Sequence, residues 1–520
     1  MIKRVKIFAT ILTITLCSSF TTSLAASASD GMDYKTALKY SIEFYDANKC
    51  GTEAGGDNVF DWRSACHTND GKSIGHDFTG GYHDAGDHVK FGLPQGYSAS
   101  VLGWALYEFK DGFTKTNTYN KQLEQLKYFT DYFLKCNYEN GKFVYQVGNG
   151  DIDHSYWGPP EKQNDAGRDN LFIADSSHSA SDVLGETSAA LSIMYLNYKD
   201  IDSSYSEKCL KTAKELYEMG KSNPGKGDGQ SYYVSSAYND DLAWAAAWLY
   251  DATKNKNYLN DAEQLIIKDS PWMDTTWTMC WNDMKVPTVL KLYQLTGNDK
   301  YKKSIDFNMN YWKNSIPTSP GGLKVLDGYG SLRYAASASM IALVYYKETK
   351  DESLTKLAES QLDYIMGKNP KNISYLVGYG DKWPVHVHHR AANGYIMNVD
   401  DYKNLPNKYV LKGALVGGPD INDSFSDVLD GYTQTEVAID YNAGLVGALA
   451  GYVSLSSEDI SEIKIGDINS DGAIDSSDYK LLKDYIDRGN IGADINSNTS
   501  DVNDDGKVNF LDLIALKNLF

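Results

Sequence analysis

The sequence predicts an all-α protein. Between about residues 97 and 453, segments with apolar residues at positions i, i+3, i+4 and i+7 recur, while short alternating strands are nearly absent. With 520 residues, 42% of them hydrophobic, the chain can also bury a large core. In chain order the predicted helices are YSASVLGWALYEF, LEQLKYFTDYFLKC, SDVLGETSAALSIMYLNY, CLKTAKELYEMG, DDLAWAAAWLYDAT, VPTVLKLYQLTG, LRYAASASMIALVYYKET, LTKLAESQLDYIMG and EVAIDYNAGLVGALAGYV.

Long connections between these helices hold most of the His, Trp, Pro and Gly residues. The two largest are residues 137–180 and 367–435. Because binding and catalytic residues concentrate in loops on a rigid scaffold, we expect the chemistry of the protein in these connections.

The N-terminus and the overall charge limit the functions that fit. Residues 1–28 combine basic residues, an apolar run and a small-residue motif, which is typical of a secretory signal peptide and predicts export. A net charge of −19 argues against nucleic acid as a partner, because polyanion binding needs clustered Lys and Arg. No later stretch is apolar enough to span a bilayer, so no membrane partner is expected.

An internal repeat follows a polar segment, residues 454–464, which is interpreted as a linker. Within residues 465–520 two similar sequences stand 34 residues apart, and each places oxygen side chains at loop positions 1, 3, 5, 9 and 12. A glycine takes the sixth position in both, where a calcium loop bends sharply. The register predicts two calcium sites, and the alternative is a solvated acidic tail. The predicted ligands are Asp467, Asn469, Asp471, Asp475 and Asp478, then Asp501, Asn503, Asp505, Asn509 and Asp512.

Each of these loops precedes one helix and carries Asp rather than Glu at position 12. In these features residues 465–520 resemble a type I dockerin, a small all-α module with two EF-hand-like repeats. The resemblance implies a cohesin domain of a scaffold protein as partner. It also implies that loop positions 10 and 11 set partner choice, here Ser476 and Ser477 in one copy and Phe510 and Leu511 in the other.

Three stretches carry candidate chemistry. In GGYHDAGDHVKFG, Asp84 and Asp87 could share one water, with Gly86 allowing a tight turn between them; the alternative is a capped turn. Hydrolysis of an acetal also needs an acid. FSDVLDGYTQTEVAIDYNAGLVGALA supplies Glu436 where a loop enters a helix, and SYLVGYGDKWPVHVHHRAANG supplies three histidines and an arginine suited to a polyhydroxylated ligand. No phosphate-binding glycine loop, nucleophile elbow or dinucleotide motif accompanies them.

Residues 32–453 resemble glycoside hydrolase family 9, the inverting cellulases built on an (α/α)6 barrel. The resemblance rests on those three stretches and on DHSYW, YNDDLAWAAAWLY, GSLRYAA and GALVGGPDIND, which occur in the family's order. It predicts residues 29–453 as the catalytic domain. It implies that Asp87 is the catalytic base, Asp84 its partner on the water and Glu436 the acid.

The same resemblance implies further site residues. His388 and Asp427 join the catalytic set, although the family's Asp-Asp-Arg segment is Asp427-Val428-Leu429 here. Tyr329 stands where many members have Trp. The implied substrate-binding residues are Arg390, Tyr441, His154, Trp157, Trp277, Tyr329 and Tyr334.

Two metal sites are expected in the catalytic domain. Two Cys and two His, namely Cys50, Cys66, His67 and His83, form a tetrahedral zinc set, and a subset of the family carries such a structural zinc. The alternative is a Cys50–Cys66 disulfide. A calcium is implied by resemblance, with a plain helix N-cap as the alternative. Its implied ligands are Ser236, Asp240 and Asp241, with Asn282 or Asp283.

The sequence thus predicts a secreted, cellulosome-associated endo-β-1,4-glucanase that acts on a β-1,4-glucan. Alternatives are a cellobiohydrolase or xyloglucanase on the same fold, and a non-catalytic carbohydrate-binding component.

Overall fold

A computed structural model describes residues 32–268, 271, 273–397, 401–455, 465–469, 473–487, 495, 497–503 and 508–519. The predicted signal peptide, linker residues 456–464 and the loop residues Asp471 and Asp505 lie outside the described residues.

Helices dominate the described chain, which agrees with the all-α prediction. In the first half they are α1 (Tyr34–Asn48), α2 (Gly92–Glu108), α3 (Lys110–Lys115), α4 (Tyr119–Cys136), α5 (Gly150–His154), α6 (Ser181–Tyr198), α7 (Ser203–Ser222), α8 (Asn239–Thr253) and α9 (Lys256–Leu265). In the second half they are α10 (Lys285–Thr296), α11 (Asp299–Asn314), α12 (Ser331–Thr349), α13 (Glu352–Ile365), α14 (Arg390–Asn393), α15 (Tyr432–Thr435), α16 (Ile439–Leu455), α17 (Ser476–Asp487), α18 (Ser497–Ser500) and α19 (Phe510–Lys517). Short 3-10 turns lie at Thr52–Gly55, Lys72–Ile74 and Pro160–Lys162.

Twelve long helices form an (α/α)6 barrel, as the family resemblance implies. The inner ring runs α2, α6, α8, α10, α12 and α16, and α16 packs back against α2 to close it. The outer helices α4, α7, α9, α11, α13 and α1 each pack on this ring.

The amino-acid composition explains which helices lie inside. The inner helix α6 is buried on nearly every face and is rich in Ala, Ser and Gly, whereas the outer helices α7 and α13 bury a single apolar stripe. Small residues let the inner helices approach closely. A Cβ at Gly96 on α2 would lie 2.8 Å from the Cβ of Glu186 on α6.

All nine predicted helices are present, and α6 has the predicted ends whereas the other eight are shifted. Helix α2 begins five residues before the predicted start, and Pro94 is compatible with its first turn, where its missing N–H costs no hydrogen bond. Helix α16 begins at Ile439, three residues after Glu436, and continues to Leu455, into the predicted linker. The outer helices α1, α9 and α11 were not predicted, and in α9 and α11 polar residues outnumber apolar ones.

A small antiparallel sheet lies beside the candidate site and was not predicted. Its strands are β1 (Lys90–Phe91), β2 (Phe143–Val147) and β3 (Leu171–Ala174), in that order. Lys90 pairs with Val147, and Phe143 pairs with Ala174. Since β1 follows Asp87 by three residues, the sheet fixes the end of the loop that carries this carboxylate.

The C-terminal helices α17 and α19 share a small core of their own, formed by Ile468, Leu482, Leu513 and Leu516. Among the described residues, no helix has the length and hydropathy required to cross a membrane.

Candidate active site

Asp84 and Asp87 lie buried in the loop before β1, with exposed fractions of 4% and 8%. The Oδ1 atom of Asp87 accepts a hydrogen bond from the Ala85 backbone N–H at 3.2 Å, and its Oδ2 atom lies 3.2 Å from His154 Nε2. Asp84 Oδ2 accepts from the Tyr233 hydroxyl at 2.5 Å, while its buried Oδ1 atom has no hydrogen-bond partner among the described residues. The two carboxylates are therefore held by different neighbours.

Gly86 separates the two aspartates for a reason that the sequence did not reveal. Its φ angle is not in the left-handed region, so the predicted tight turn is not what requires a glycine. A Cβ at this position would lie 2.2 Å from the His388 carbonyl oxygen and 2.8 Å from His389 Cα. The Arg390 N–H also donates to the Gly86 carbonyl at 3.0 Å. Gly86 thus lets residues 385–389, the histidine-rich loop, pack directly on the loop that carries Asp84 and Asp87.

The pKa values of Asp84 and His154 are both raised, but for different reasons. Burial and the neighbouring Asp87 carboxylate raise the pKa of Asp84 well above its ordinary value. Burial alone would lower the pKa of His154, but the hydrogen bond and charge of Asp87 outweigh it and raise that pKa. His154 is therefore suited to carry a proton beside the Asp87 side chain.

Glu436 lies between α15 and α16, and the Ile439 N–H at the start of α16 donates to the Asp84 carbonyl at 2.9 Å. The Glu436 backbone forms a parallel bridge with His388, and its carbonyl accepts from the Gly417 N–H at 2.8 Å. Its Oε2 atom accepts a hydrogen bond from the Tyr329 hydroxyl at 2.7 Å. Burial raises the pKa of Glu436 to about 7 against the lowering effect of Tyr329, and the Asp87 charge adds to the rise. A carboxyl group with this pKa holds its proton in mildly acidic solution.

Arg333 and Asp440 lie behind Glu436 and were not among the predicted site residues. The Arg333 guanidinium donates to Asp440 Oδ2 at 3.3 Å and to the Tyr334 hydroxyl at 2.8 Å. It also lies 4.9 Å from the centre of the Tyr441 ring. These two opposite charges act on Glu436 in opposite directions, since Asp440 raises its pKa and Arg333 lowers it.

The histidine-rich loop is held by hydrogen bonds to the segment before α15, through the Asp427 side chain and the Leu429 carbonyl. Asp427 accepts backbone hydrogen bonds from Val385 at 2.8 Å and from His386 at 2.9 Å. His388 Nδ1 donates to the Leu429 carbonyl at 2.7 Å, which leaves its Nε2 atom free to act toward a ligand. Asp427 therefore holds the loop that carries His388.

Arg390 begins α14 and forms a buried ion pair with Asp153. Its Nη1 atom lies 2.6 Å from Asp153 Oδ1, while its buried Nε atom has no hydrogen-bond partner among the described residues. The guanidinium lies 5.8 Å from the centre of the Trp157 ring. Trp157 in turn packs edge-on against His388, with 5.2 Å between ring centres, and donates to Asn393.

The remaining predicted substrate-binding residues are aromatic and differ in exposure. Trp277 and Tyr334 pack edge to face, with 5.6 Å between ring centres. Tyr329 is 38% exposed, whereas Tyr441 is 2% exposed and packs against Gly330, where a Cβ would lie 2.7 Å from its hydroxyl. Tyr329 is thus a surface ring of this set, and Tyr441 is a buried support.

The four predicted zinc ligands come together. The candidate ligand atoms of Cys50, Cys66, His67 and His83 all lie within 4.8 Å of one another, and all four residues are buried. Both cysteines are free thiols. A hydrogen bond with Cys50 lowers the pKa of Cys66 to about 7, assisted against burial by the Arg63 charge. Burial lowers the pKa of His83, which keeps its imidazole neutral, as a metal ligand must be. The donor set therefore fits a tetrahedral thiolate and imidazole site.

The predicted calcium ligands of the catalytic domain lie together but are less tightly gathered. Burial and the neighbouring Asp240 raise the pKa of Asp241 well above its ordinary value and that of Asp283 to about 7. Ser236 N–H donates to Asn282 Oδ1 at 2.6 Å. Among the described residues, these carboxylates do not form a group of three with ligand atoms within 4.8 Å. The observed feature is a surplus of buried negative charge, which a cation would relieve.

The two C-terminal loops have the same internal hydrogen bonds. Asp478, at position 12 of the first loop, accepts backbone N–H groups from Ile468 at 2.7 Å, Asn469 at 3.1 Å and Asp475 at 2.9 Å. In the second loop the position-12 carboxylate accepts from the equivalent three positions. Those bonds join Asp512 to Val502 at 2.8 Å, to Asn503 at 3.2 Å and to Asn509 at 2.7 Å.

Comparison with known proteins identifies the family of this fold. The family model for glycosyl hydrolase family 9 matches residues 34–449, and the model for a dockerin type I domain matches residues 465–520. The chain therefore belongs to glycosyl hydrolase family 9 and is a glycoside hydrolase of the cellulase group that carries a dockerin. A type I dockerin implies calcium binding and a cohesin partner.

Individual relatives support the same family assignment. Endoglucanase A of Bacillus pumilus is 38% identical over 451 residues, covering 83% of this chain and 68% of that protein. The crystal structure of the cellulase Cel9M of C. cellulolyticum in complex with cellobiose is 59% identical with a TM-score of 0.80, over 82% of this chain and 99% of that one. An endoglucanase structure from the termite Nasutitermes takasagoensis is 36% identical with a TM-score of 0.78, over 81% and 99% of the two chains.

Several residues that shape the site were missed from the sequence. They are Tyr233, Arg333, Asp440, Asp153 and Gln163. Asp153 and Arg333 lie in quoted motifs, DHSYW and GSLRYAA, and these motifs were the available signal. Tyr233 is one of 39 tyrosines and had no motif to distinguish it.

Proposed function

We propose that the protein is a secreted, cellulosome-associated endo-β-1,4-glucanase that cleaves cellulose with inversion at the anomeric carbon. The observation that carries the proposal is the arrangement of three carboxyl groups. Glu436 forms a backbone bridge with His388, whose carbonyl packs on Gly86 between Asp84 and Asp87, and burial and the Asp87 charge raise the pKa of Glu436 to about 7. A protonated acid and an ionised base that act on each other across one site are what hydrolysis of a glycosidic bond needs.

In this proposal Asp87 takes a proton from a water that attacks the anomeric carbon, and Asp84 positions the same water. Glu436 gives its proton to the departing oxygen as the carbon–oxygen bond breaks. Because the water enters opposite the leaving sugar, the first product carries the α configuration. His154 hydrogen-bonds Asp87, and Tyr233 hydrogen-bonds Asp84.

The sugar before the cleaved bond is proposed to contact His388 Nε2 and the Arg390 guanidinium, which lies 5.8 Å from the centre of the Trp157 ring. Tyr441 and Asp427 support this wall from within. The rings of Trp157, Trp277, Tyr329 and Tyr334 offer apolar faces on which glucose units stack, with His154 at the edge of the same cleft.

Two metals are proposed to stabilise the catalytic domain. Zinc would be held by Cys50, Cys66, His67 and His83 and would fix the loop before the catalytic aspartates. Calcium would be held among Ser236, Asp240, Asp241, Asn282 and Asp283 and would offset their buried negative charge.

We assign residues 1–28 to the signal peptide, 29–453 to the catalytic domain, 454–464 to the linker and 465–520 to the dockerin. Two calcium ions would complete the dockerin loops. Phe510 and Leu511, 63% and 55% exposed at the start of α19, would contact the cohesin of a scaffold protein. This apolar pair is absent from the first copy, which has Ser476 and Ser477.

A reducing-sugar assay on carboxymethylcellulose tests the enzyme proposal. The secreted full chain should release reducing ends and lower the viscosity early, as internal cleavage does. Release of reducing ends without a fall in viscosity would point to attack from chain ends, and no release at all would contradict the activity.

Calcium-dependent binding to a cohesin tests the dockerin. In the full chain, Asp467→Ala together with Asp501→Ala should abolish the binding while leaving glucanase activity unchanged, since calcium binding supplies folding energy to a very small core. Unchanged cohesin binding would contradict the calcium assignment.

A further inference from the structure

The amide of Gln163 lies between the Cys50–Cys66–His67–His83 cluster and the residues beside the proposed base. Its Oε1 atom lies 3.0 Å from His67 Nε2 and 2.9 Å from His88 Nδ1. Its Nε2 atom donates to Asp153 Oδ2 at 2.8 Å. One side chain thus contacts both regions.

The donors and acceptors among these partners fix the orientation of the Gln163 amide and the positions of the hydrogens on the two imidazole rings. Asp153, the ion-pair partner of Arg390, can only accept, so the NH2 group of Gln163 must face it. The amide oxygen then faces both imidazoles and can only accept, so His67 Nε2 and His88 Nδ1 each carry a hydrogen. In a neutral His67 ring the lone pair is therefore on Nδ1. That atom lies 3.1 Å from His83 Nε2 and 3.8 Å from Cys50 Sγ, inside the cluster.

The other end of the network reaches the sugar-binding wall. Asp153 accepts from Arg390 Nη1 through Oδ1 at 2.6 Å and through its carbonyl at 3.1 Å. Its neighbour His154 contacts Asp87. A chain of hydrogen bonds through Gln163 and Asp153 therefore connects His67, a proposed metal ligand, to Arg390, a proposed sugar ligand.

We propose that Gln163 is a positioning residue that couples the metal cluster to substrate binding. Its Oε1 atom holds His67 in the metal-binding tautomer. Its Nε2 atom orients Asp153 and, through Asp153, Arg390. Because coupling between two binding equilibria is reciprocal, zinc strengthens sugar binding and sugar strengthens zinc binding by the same factor. This inference rests on the proposed function.

Two variants separate the two ends of the amide. Gln163→Leu removes every hydrogen bond, so zinc affinity, measured by competition with a chromophoric chelator, should fall about 10- to 100-fold. Cellobiose binding, measured by calorimetry, should weaken severalfold. Gln163→Glu keeps oxygens for His67 and His88 but places a carboxylate against Asp153. It should keep zinc affinity within about threefold of wild type while weakening cellobiose binding as Gln163→Leu does.

Lys162→Ala, an exposed neighbour, is the matched control and should change neither affinity. In the wild type, removing zinc should weaken cellobiose binding, and in Gln163→Leu this dependence should disappear. Wild-type zinc affinity in Gln163→Leu, or lower zinc affinity with unchanged cellobiose binding, would overturn the inference. So would a wild type that binds no zinc, which leaves the glucanase proposal standing. A wild type that binds zinc but releases no sugar from glucan contradicts the proposed function instead.

Discussion

One wall of the candidate site is the loop before β1, which carries Asp87, and the other is the segment between α15 and α16, which carries Glu436. They hold their carboxyl groups in different ways. On one wall Asp87 accepts from a backbone N–H and lies 3.2 Å from a histidine whose pKa its charge raises. On the other wall the Glu436 carboxyl group accepts a hydrogen bond from the Tyr329 hydroxyl. Burial raises its pKa to about 7. The difference explains how one residue class would supply both the proposed base and the proposed acid, because donors and positive charge favour the ionised form of a carboxyl group while burial favours the protonated one.

Removal of the Asp87 carboxylate should have the largest effect. Asp87→Ala should lower turnover on carboxymethylcellulose by several orders of magnitude, because it removes the proposed base and leaves Asp84, whose pKa burial raises, only to position the water. Circular dichroism should show an unchanged fold. Activity within tenfold of wild type would show that this wall does not carry the base.

Glu436→Gln should change stability in a pH-dependent way. The raised pKa means that ionising Glu436 costs stability in the folded state, so wild-type stability falls as pH rises from 4.5 to about 7. The variant cannot ionise. Its melting temperature should match that of wild type below pH 4.5 and exceed it above pH 7, and a constant difference at all pH values would contradict the raised pKa.

Tyr329→Phe should have the smallest effect. The lost hydrogen bond lowers the Glu436 pKa in wild type, so its removal should raise that pKa and move the alkaline limb of kcat/KM upward by less than about one pH unit. The other groups acting on Glu436, namely Asp87, Asp440 and Arg333, stay in place.

Tyr432→Phe is the control for this change. Tyr432 is a 51% exposed neighbour whose ring centre lies 6.2 Å from that of Tyr329, and the bond to Glu436 comes from Tyr329. The control profile should match wild type. A shift of equal size in both variants would show that cleft polarity, rather than the single hydrogen bond, tunes the acid.

The recurring apolar residues predicted the all-α class, and the family resemblance implied the (α/α)6 barrel. The outer helices α1, α9 and α11 were missed, and in α9 and α11 polar residues outnumber apolar ones. The three-stranded sheet was also missed, and its strands span only two to five residues.

Motifs indicated which residues approach the site, but not what holds them. Gly86 is required by contact with His388, 302 positions away in the chain, and no local pattern shows such a contact. The partnerships of Tyr233 with Asp84 and of Gln163 with His67 are likewise products of tertiary packing.

The most direct test compares the two walls on two substrates. The leaving sugar of a glucan needs a proton from an acid. The dinitrophenolate of a dinitrophenyl β-cellobioside is a good leaving group and departs without one. Glu436→Gln should lose several orders of magnitude in turnover on carboxymethylcellulose but retain most of its activity on the aryl cellobioside, and Asp87→Ala should lose both activities. Equal losses of Glu436→Gln on the two substrates, or an Asp87→Ala variant that still cleaves the aryl cellobioside at the wild-type rate, would contradict the division of roles between the walls.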